Sequence, residues 1–242
     1  MAKLFVISLG GSLIVPEEIN VKFLKRFKKL IIGQIIKGNK FLIIAGGGRI
    51  CRKYNEALRL SGAPTNVELD WMGINTTWVN AKLIQLYFGK FAYPEISKDP
   101  TKRIFFKQPI LVGGGWKPGR SSDGATVKYA SVYGAKTIIN LSNIDFIYTK
   151  DPRKYQTAKK IEKISWDDFL KIIGPKWIPG KNAPFFDPAA AKMAKKNNIT
   201  VINCNGKNLK NLENILNGKK FIGTAIGKSL STIFELSKNP LN

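Results

Sequence analysis

The sequence contains no histidine. Ser-His-Asp hydrolysis, Cys-His proteolysis and nearly every catalytic zinc site depend on an imidazole, so all of these are removed at once. Cysteine is almost as scarce: Cys51 and Cys204 are far apart and form no paired-ligand spacing. Reduced thiols are therefore expected in place of a disulfide framework. Long hydrophobic runs are missing too. The most apolar stretch, LIIGQIIKGNKFLIIAGGG, is broken by Gln34, Lys37, Asn39 and Lys40, far short of the roughly 20 apolar residues a membrane helix requires. The apolar part of MAKLFVISLGGSL is too short for a signal peptide and runs directly into a glycine loop. A soluble, cytoplasmic protein is the expectation. Internal repeats, low-complexity tracts and linkers are also lacking.

Negative charge is in short supply, with 16 Asp and Glu against 40 Lys and Arg, a formal net charge of +24. The basic residues are spread along the chain, mostly as lysines on helix faces, without a zinc finger or single-strand RNA-recognition motif. This describes a solvated, anion-attracting surface more than a dedicated nucleic-acid site. The 242 residues, 44% hydrophobic and 11% aromatic, suffice for a substantial core. Without histidine, catalysis must rest on carboxylates, Lys and Arg, hydroxyls, backbone amides or a hard metal such as Mg²⁺. Phosphoryl transfer suits that inventory, because it needs positioning and charge stabilisation more than a side chain titrating near neutrality.

Apolar β-rich runs alternate with helix-period segments, the pattern of an α/β protein with a mostly parallel sheet covered by helices. Strands are expected at 3–9, 40–45, 108–113, 135–141, 198–204 and 220–226. Helices are expected from Glu17 to about Lys37, from near Arg49, over Val67–Phe88, Asp123–Tyr133 and 187–198, and over 209–218. Residues after Gly227 read as a peripheral tail.

Three strands run into glycine loops that open helices: SLGGSL, AGGGRICRKY and VGGGWKPGRSSD. Glycine lets the backbone approach a ligand closely, and a helix N-terminus presents unpaired N–H groups to an anion. One such loop is an ordinary turn, but three on one carboxyl edge of a parallel sheet favour a phosphate-rich ligand in the crevice there. The third comes close to a P-loop, with Gly114, Gly119 and Ser121 in register, but Arg120 stands where the lysine belongs. Arg does not replace that compact ammonium, and Asp123 would add an acid beside the supposed triphosphate. The P-loop reading fails.

The ordered set GGS, GGGRICRKY, DWMGINTTWVNA, GGGWKPGRSSD, NIDFIYTKDP and FFDPAAAKMA, spanning about Leu4 to Ile226, resembles the amino acid kinase superfamily and, within it, the UMP kinases of archaeal-like type. The resemblance implies one three-layer α/β/α sandwich over 1–242. Its acceptor-binding part would be about 1–134, its ATP-binding part about 135–227 and its tail 228–242. It implies transfer of the γ-phosphoryl of ATP to UMP with Mg²⁺, without direct protein ligation of the metal, in a homohexamer built from dimers. Gly47, Gly48, Arg52, Asp70, Gly115, Ser121 and Ser122 would hold UMP, with Arg52 on the phosphate and Asp70 on the ribose. Gly11, Ser12, Asn143, Tyr148 and Asp151 would hold ATP. Asp123, with Gly10 and Gly11, would attend the transferring phosphoryl. Read alone, Asp70 and Asp123 could each be helix caps, and Asp187 is as well read as a cap as a site residue.

Three departures stand out. Ser8 occupies a first-strand position where many members carry lysine, which leaves Lys3, Lys117, Arg120 and Lys181 as candidate replacement cations. Phe146 stands for a glycine, and Trp78 for an arginine. Rival readings are another small-molecule kinase of the superfamily, or a non-catalytic nucleotide-binding or regulatory protein on the same scaffold. Isopentenyl phosphate kinase is disfavoured, because that branch uses a histidine.

Overall fold

The computed structural model describes residues 3–150, 154–174 and 186–227. Its strands are β1 (Leu4–Leu9), β2 (Lys40–Ala45), β3 (Ile110–Gly113), β4 (Thr137–Ser142), β5 (Ile147–Tyr148), β6 (Lys160–Ile161), β7 (Lys163–Ile164), β8 (Thr200–Asn205) and β9 (Thr224–Ile226). The helices are α1 (Gly11–Ile14), α2 (Val21–Ile36), α3 (Gly48–Ser61), α4 (Asn66–Phe88), α5 (Ser122–Val132), α6 (Trp166–Ile173), α7 (Pro188–Lys196) and α8 (Leu209–Leu216).

Seven strands form one sheet in the order β3-β2-β1-β4-β8-β9-β7. Neighbours from β3 through β8 pair in parallel. β9 runs antiparallel to β8, and β7 follows β9. The parallel strands are nearly continuous apolar runs because both faces are covered. In β1, Ile7 and Leu9 point to one layer and Val6 to the other; Phe41, Ile43 and Ala45 alternate in the same way with Leu42 and Ile44 in β2. The first layer contains α1, α2, α4 and α8, contributing Leu13, Phe27, Ile84 and Leu212 among others. The second contains α5, α6 and α7, through Tyr129, Phe169 and Ala191. The result is the expected three-layer sandwich.

The sequence-based bounds shift in places, for local reasons. The first long helix starts at Val21 and not at Glu17, because the Asn20 side chain caps it by accepting from the N–H of Phe23 at 3.0 Å. The 220–226 segment contributes only Thr224–Ile226 to the sheet, running against its neighbour. The hairpin β5–β6, strand β7 and helix α6 lie in a segment where the sequence reading assigned no elements. In α6, Ser165 caps the helix while Trp166 and Phe169 sink into the core.

Candidate active site

The carboxyl ends of β1, β2 and β3 deliver all three glycine loops to one cavity of about 460 Å³. The first two loops touch. A Cβ on Gly11 would lie 2.1 Å from the Gly48 nitrogen, and Gly48 itself has φ +70°. Glycine is required at both positions, one for clearance and the other for backbone conformation. The first loop is tied across the sheet by the Gly10 N–H to the Leu141 carbonyl at 2.9 Å, and the second by the Gly46 N–H to the Leu9 carbonyl at 2.9 Å.

Helix α4 fixes the second and third loops from the side. The Asn80 amide donates to the carbonyls of Gly46 at 2.8 Å and Gly47 at 3.2 Å. Thr77 accepts from the Gly115 N–H at 2.6 Å, and the Trp78 indole donates to the Gly115 carbonyl at 2.8 Å. Both polar groups of one loop peptide residue are thus held by consecutive helix residues. The sequence reading gave Thr77 and Asn80 no role and saw Trp78 only as a departure. The available signal was polar side chains at 77 and 80 in a helix otherwise rich in apolar residues.

Asp70 is inside α4 and is not its cap. Thr65 caps the helix in a reciprocal arrangement with Glu68. The Asp70 carboxylate accepts from the Gly119 N–H at 2.7 Å, so an amide of the near-P-loop is already engaged by an acid. Ser121 caps α5, accepting from the Gly124 N–H at 3.1 Å, which excludes the cap reading for Asp123.

Asp123 and Asp187 meet at the head of α5. The Asp187 N–H donates to the Asp123 carboxylate at 3.2 Å, and the Ser121 hydroxyl donates to Asp187 at 2.5 Å. Asp187 does cap α7, accepting from the N–H groups of Ala189 and Ala190, and it also lines the cavity. Burial, and then the Asp187 carboxylate beside it, push Asp123 up from 3.8 to about 7. The opposing Asp187 N–H bond is the smaller influence. A carboxyl titrating near neutrality at the meeting point of three glycine loops is suited to handling charge on phosphates.

Gly10, Gly11, Ser12, Gly47, Gly48, Arg52, Asp70, Gly115, Ser121, Ser122, Asp123 and Asn143 all line this cavity. Tyr148 does not; it sits in β5 with Lys160 of β6 as its register partner. Asp151 and Lys181 lie outside the described residues. Of the other replacement cations, Arg120 lines the cavity. Lys3 is corrected: it precedes β1 at the opposite end of the strand, where its carbonyl accepts from the Lys40 N–H. The Lys117 ammonium lies over the Trp116 ring, 4.3 Å from the centroid, and Lys117 is not among the residues lining the cavity.

No group of three or more Cys, Asp or Glu side chains among the described residues is placed to hold a metal ion. Residues 3–205 match the model of the amino acid kinase family. The uridylate kinase of Methanobrevibacter smithii is 30% identical over 223 residues, 91% of this chain and 97% of that protein. That of Staphylothermus marinus is 33% identical over 221 residues, covering 90% and 96%. The crystal structure of uridylate kinase from Archaeoglobus fulgidus superposes with a TM-score of 0.77 at 27% identity, over 93% of this chain and all of that one.

Proposed function

The chain belongs to the amino acid kinase family, and from that premise we propose that it is a UMP kinase, passing the γ-phosphoryl of ATP to UMP to give UDP and ADP. The observation carrying this reading is the convergence of three glycine loops, Arg52 and Asp123 on one cavity. The identity of the relatives supplies the acceptor.

In this account the acceptor occupies the part of the cavity built by residues up to about 134. Gly47, Gly48 and Arg52 take its phosphate, the guanidinium matching the oxygens bidentately. Asp70 takes the ribose hydroxyls while also fixing the Gly119 amide. ATP enters from the 135–227 side, against Gly11, Ser12 and Asn143. Transfer needs little covalent work from the protein, so alignment by rigid loop backbone and stabilisation of charge dominate. Arg52 and Arg120 supply positive charge where many family members use a first-strand lysine.

Mg²⁺ keeps several waters and binds largely through substrate phosphates, and Asp123 would orient it there through those waters without direct ligation. When bound, Mg²⁺ supplies charge neutralisation on the transferring phosphates. Asp123 holds its carboxylate toward that region, and the Asp187 N–H and the Ser121–Asp187 bond fix its position.

The setting we infer is pyrimidine nucleotide biosynthesis in the cytoplasm, by a homohexamer. No described helix is long and apolar enough to cross a membrane. Helix α4 exposes Val67, Trp71, Val79 and Leu86, which fall within an arc of about 120° at 100° per residue, an apolar outer face fit for a second copy.

Steady-state ADP formation from Mg²⁺-ATP with UMP, CMP, AMP and isopentenyl phosphate tests the assignment. UMP is expected to give the highest kcat/KM. Preference for isopentenyl phosphate would assign the chain to another branch.

A further inference from the structure

Helix α3 lies mostly exposed although it carries Ile50, Tyr54, Leu58 and Leu60, and the one residue it buries is polar: Asn55, 5% exposed. Ile50, Cys51 and Leu58 are half-buried, and at the most buried position of the helix an apolar side chain would be the ordinary choice. Asn55 instead places an amide against the cavity that Leu69, Asp70 and Gly73 also line. Its Oδ1 is buried and has no hydrogen-bond partner among the described residues. A buried polar atom left unpaired costs stability and calls for an explanation, often a functional one.

The surroundings show what is different about this group. Asp70 has the Gly119 amide and Thr77 the Gly115 amide, so nearby polar groups are internally satisfied. Asn55 lies seven residues beyond Gly48, about 10 Å along the helix axis. It shares the cavity-facing side with Cys51 and Arg52. If the acceptor phosphate sits at Gly48 and Arg52, Asn55 stands off from it by about the distance separating a nucleotide's base edge from its phosphate. An amide offers one acceptor and two donors, and the uracil edge offers an N3–H donor flanked by carbonyl acceptors. With no internal hydrogen bond holding it, the Asn55 amide is free to turn so that either end meets the ligand.

We propose that Asn55 is a specificity-determining residue that hydrogen-bonds the base edge of the acceptor nucleotide. This rests on the UMP-kinase reading above. The unpaired oxygen is then kept because ligand binding satisfies it, and the free protein carries the cost.

The test compares wild type with Asn55→Leu, which is similar in shape and has no polar atoms. Asn55→Ala serves as the second variant should leucine fail to pack. Three quantities are measured: KM and kcat for UMP, direct binding of UMP and of ribose 5-phosphate by calorimetry, and the melting temperature of the free protein. Ribose 5-phosphate has the sugar and phosphate but no base. The expected result is a roughly 5- to 50-fold rise in KM and Kd for UMP, with kcat nearly unchanged, ribose 5-phosphate binding unaffected, and a melting temperature equal to or above wild type for Asn55→Leu. Unchanged UMP affinity in both variants overturns the proposal. So does an equal loss for UMP and ribose 5-phosphate, which would make Asn55 a packing residue of α3. If wild type binds UMP without turnover, the kinase reading falls while the calorimetric comparison still decides the role of Asn55.

Discussion

Asp123 carries the sharpest single-residue expectations. As the group that organises charge at the transferring phosphoryl, its change to Asn should lower kcat by about 10²- to 10³-fold, the scale seen when a preorganised polar group at a transition state is removed. KM for UMP and ATP should change little, and a folded Asp123→Asn with wild-type kcat would end this assignment. Stability should respond with its own sign. Burial and Asp187 raise Asp123 to about 7 from 3.8, so between those values the folded state holds a proton the unfolded chain releases. Stability contributed by this site is therefore lost as pH rises from about 4 to about 7, by on the order of 4 kcal/mol at most. Melting curves of wild type and Asp123→Asn should diverge over that window, with the variant several degrees more stable above pH 7. A pH-independent difference would contradict the burial argument.

Arg52 belongs to the same scale. A charged hydrogen-bonding group is worth roughly 1.5–3 kcal/mol, so Arg52→Ala should raise KM for UMP about 10- to 150-fold. The acceptor phosphate is anionic before and during transfer, so kcat should fall less. If KM for ATP rises and that for UMP does not, the two nucleotide sites have been exchanged.

At the scale of elements, α4 works as a spine for the glycine loops. Trp78→Phe keeps an aromatic ring at this position but removes the donor to the Gly115 carbonyl. KM for UMP should rise about 3- to 10-fold, the worth of one neutral hydrogen bond, with KM for ATP unchanged; no effect on either would show that Thr77 alone holds the loop. In the sequence this clamp showed only as polar side chains at 77 and 80; what they hold was not legible, because Thr77, Trp78 and Asn80 act on loops more than 30 residues away. The loops themselves were legible as a set, since three glycine clusters after β-rich runs on one sheet edge exceed what ordinary turns require. The parallel strands were legible for the same kind of reason: burial on both faces leaves uninterrupted apolar runs such as KFLIIA. The hairpin β5–β6 and strand β7 escaped, being two residues each, too short for any periodicity to register. Lys3 was a poor candidate cation on topology alone, because a residue before a parallel strand lies at the amino edge of the sheet, opposite the site.

At the scale of the whole molecule, the outer face of α4 explains why that helix carries apolar residues on the side away from the sheet as well as on the side that packs against it. One side packs on the sheet through Ala81, Ile84 and Phe88, and the other exposes Val79 and Leu86 at 67% and 63%. Light scattering should give the mass of a hexamer for wild type. Val79→Lys combined with Leu86→Lys should give a smaller species with its fold intact. A monomeric wild type would remove the assembly from the account.

The central claim is that the cavity moves a phosphoryl group between two nucleotides. Phosphorus NMR of the protein with Mg²⁺-ATP and UMP tests it most directly. The account predicts that the β-phosphorus resonance of UDP grows in step with ADP, one for one, while inorganic phosphate stays flat. ADP accompanied by inorganic phosphate without UDP, or bound nucleotides that never react, would contradict it.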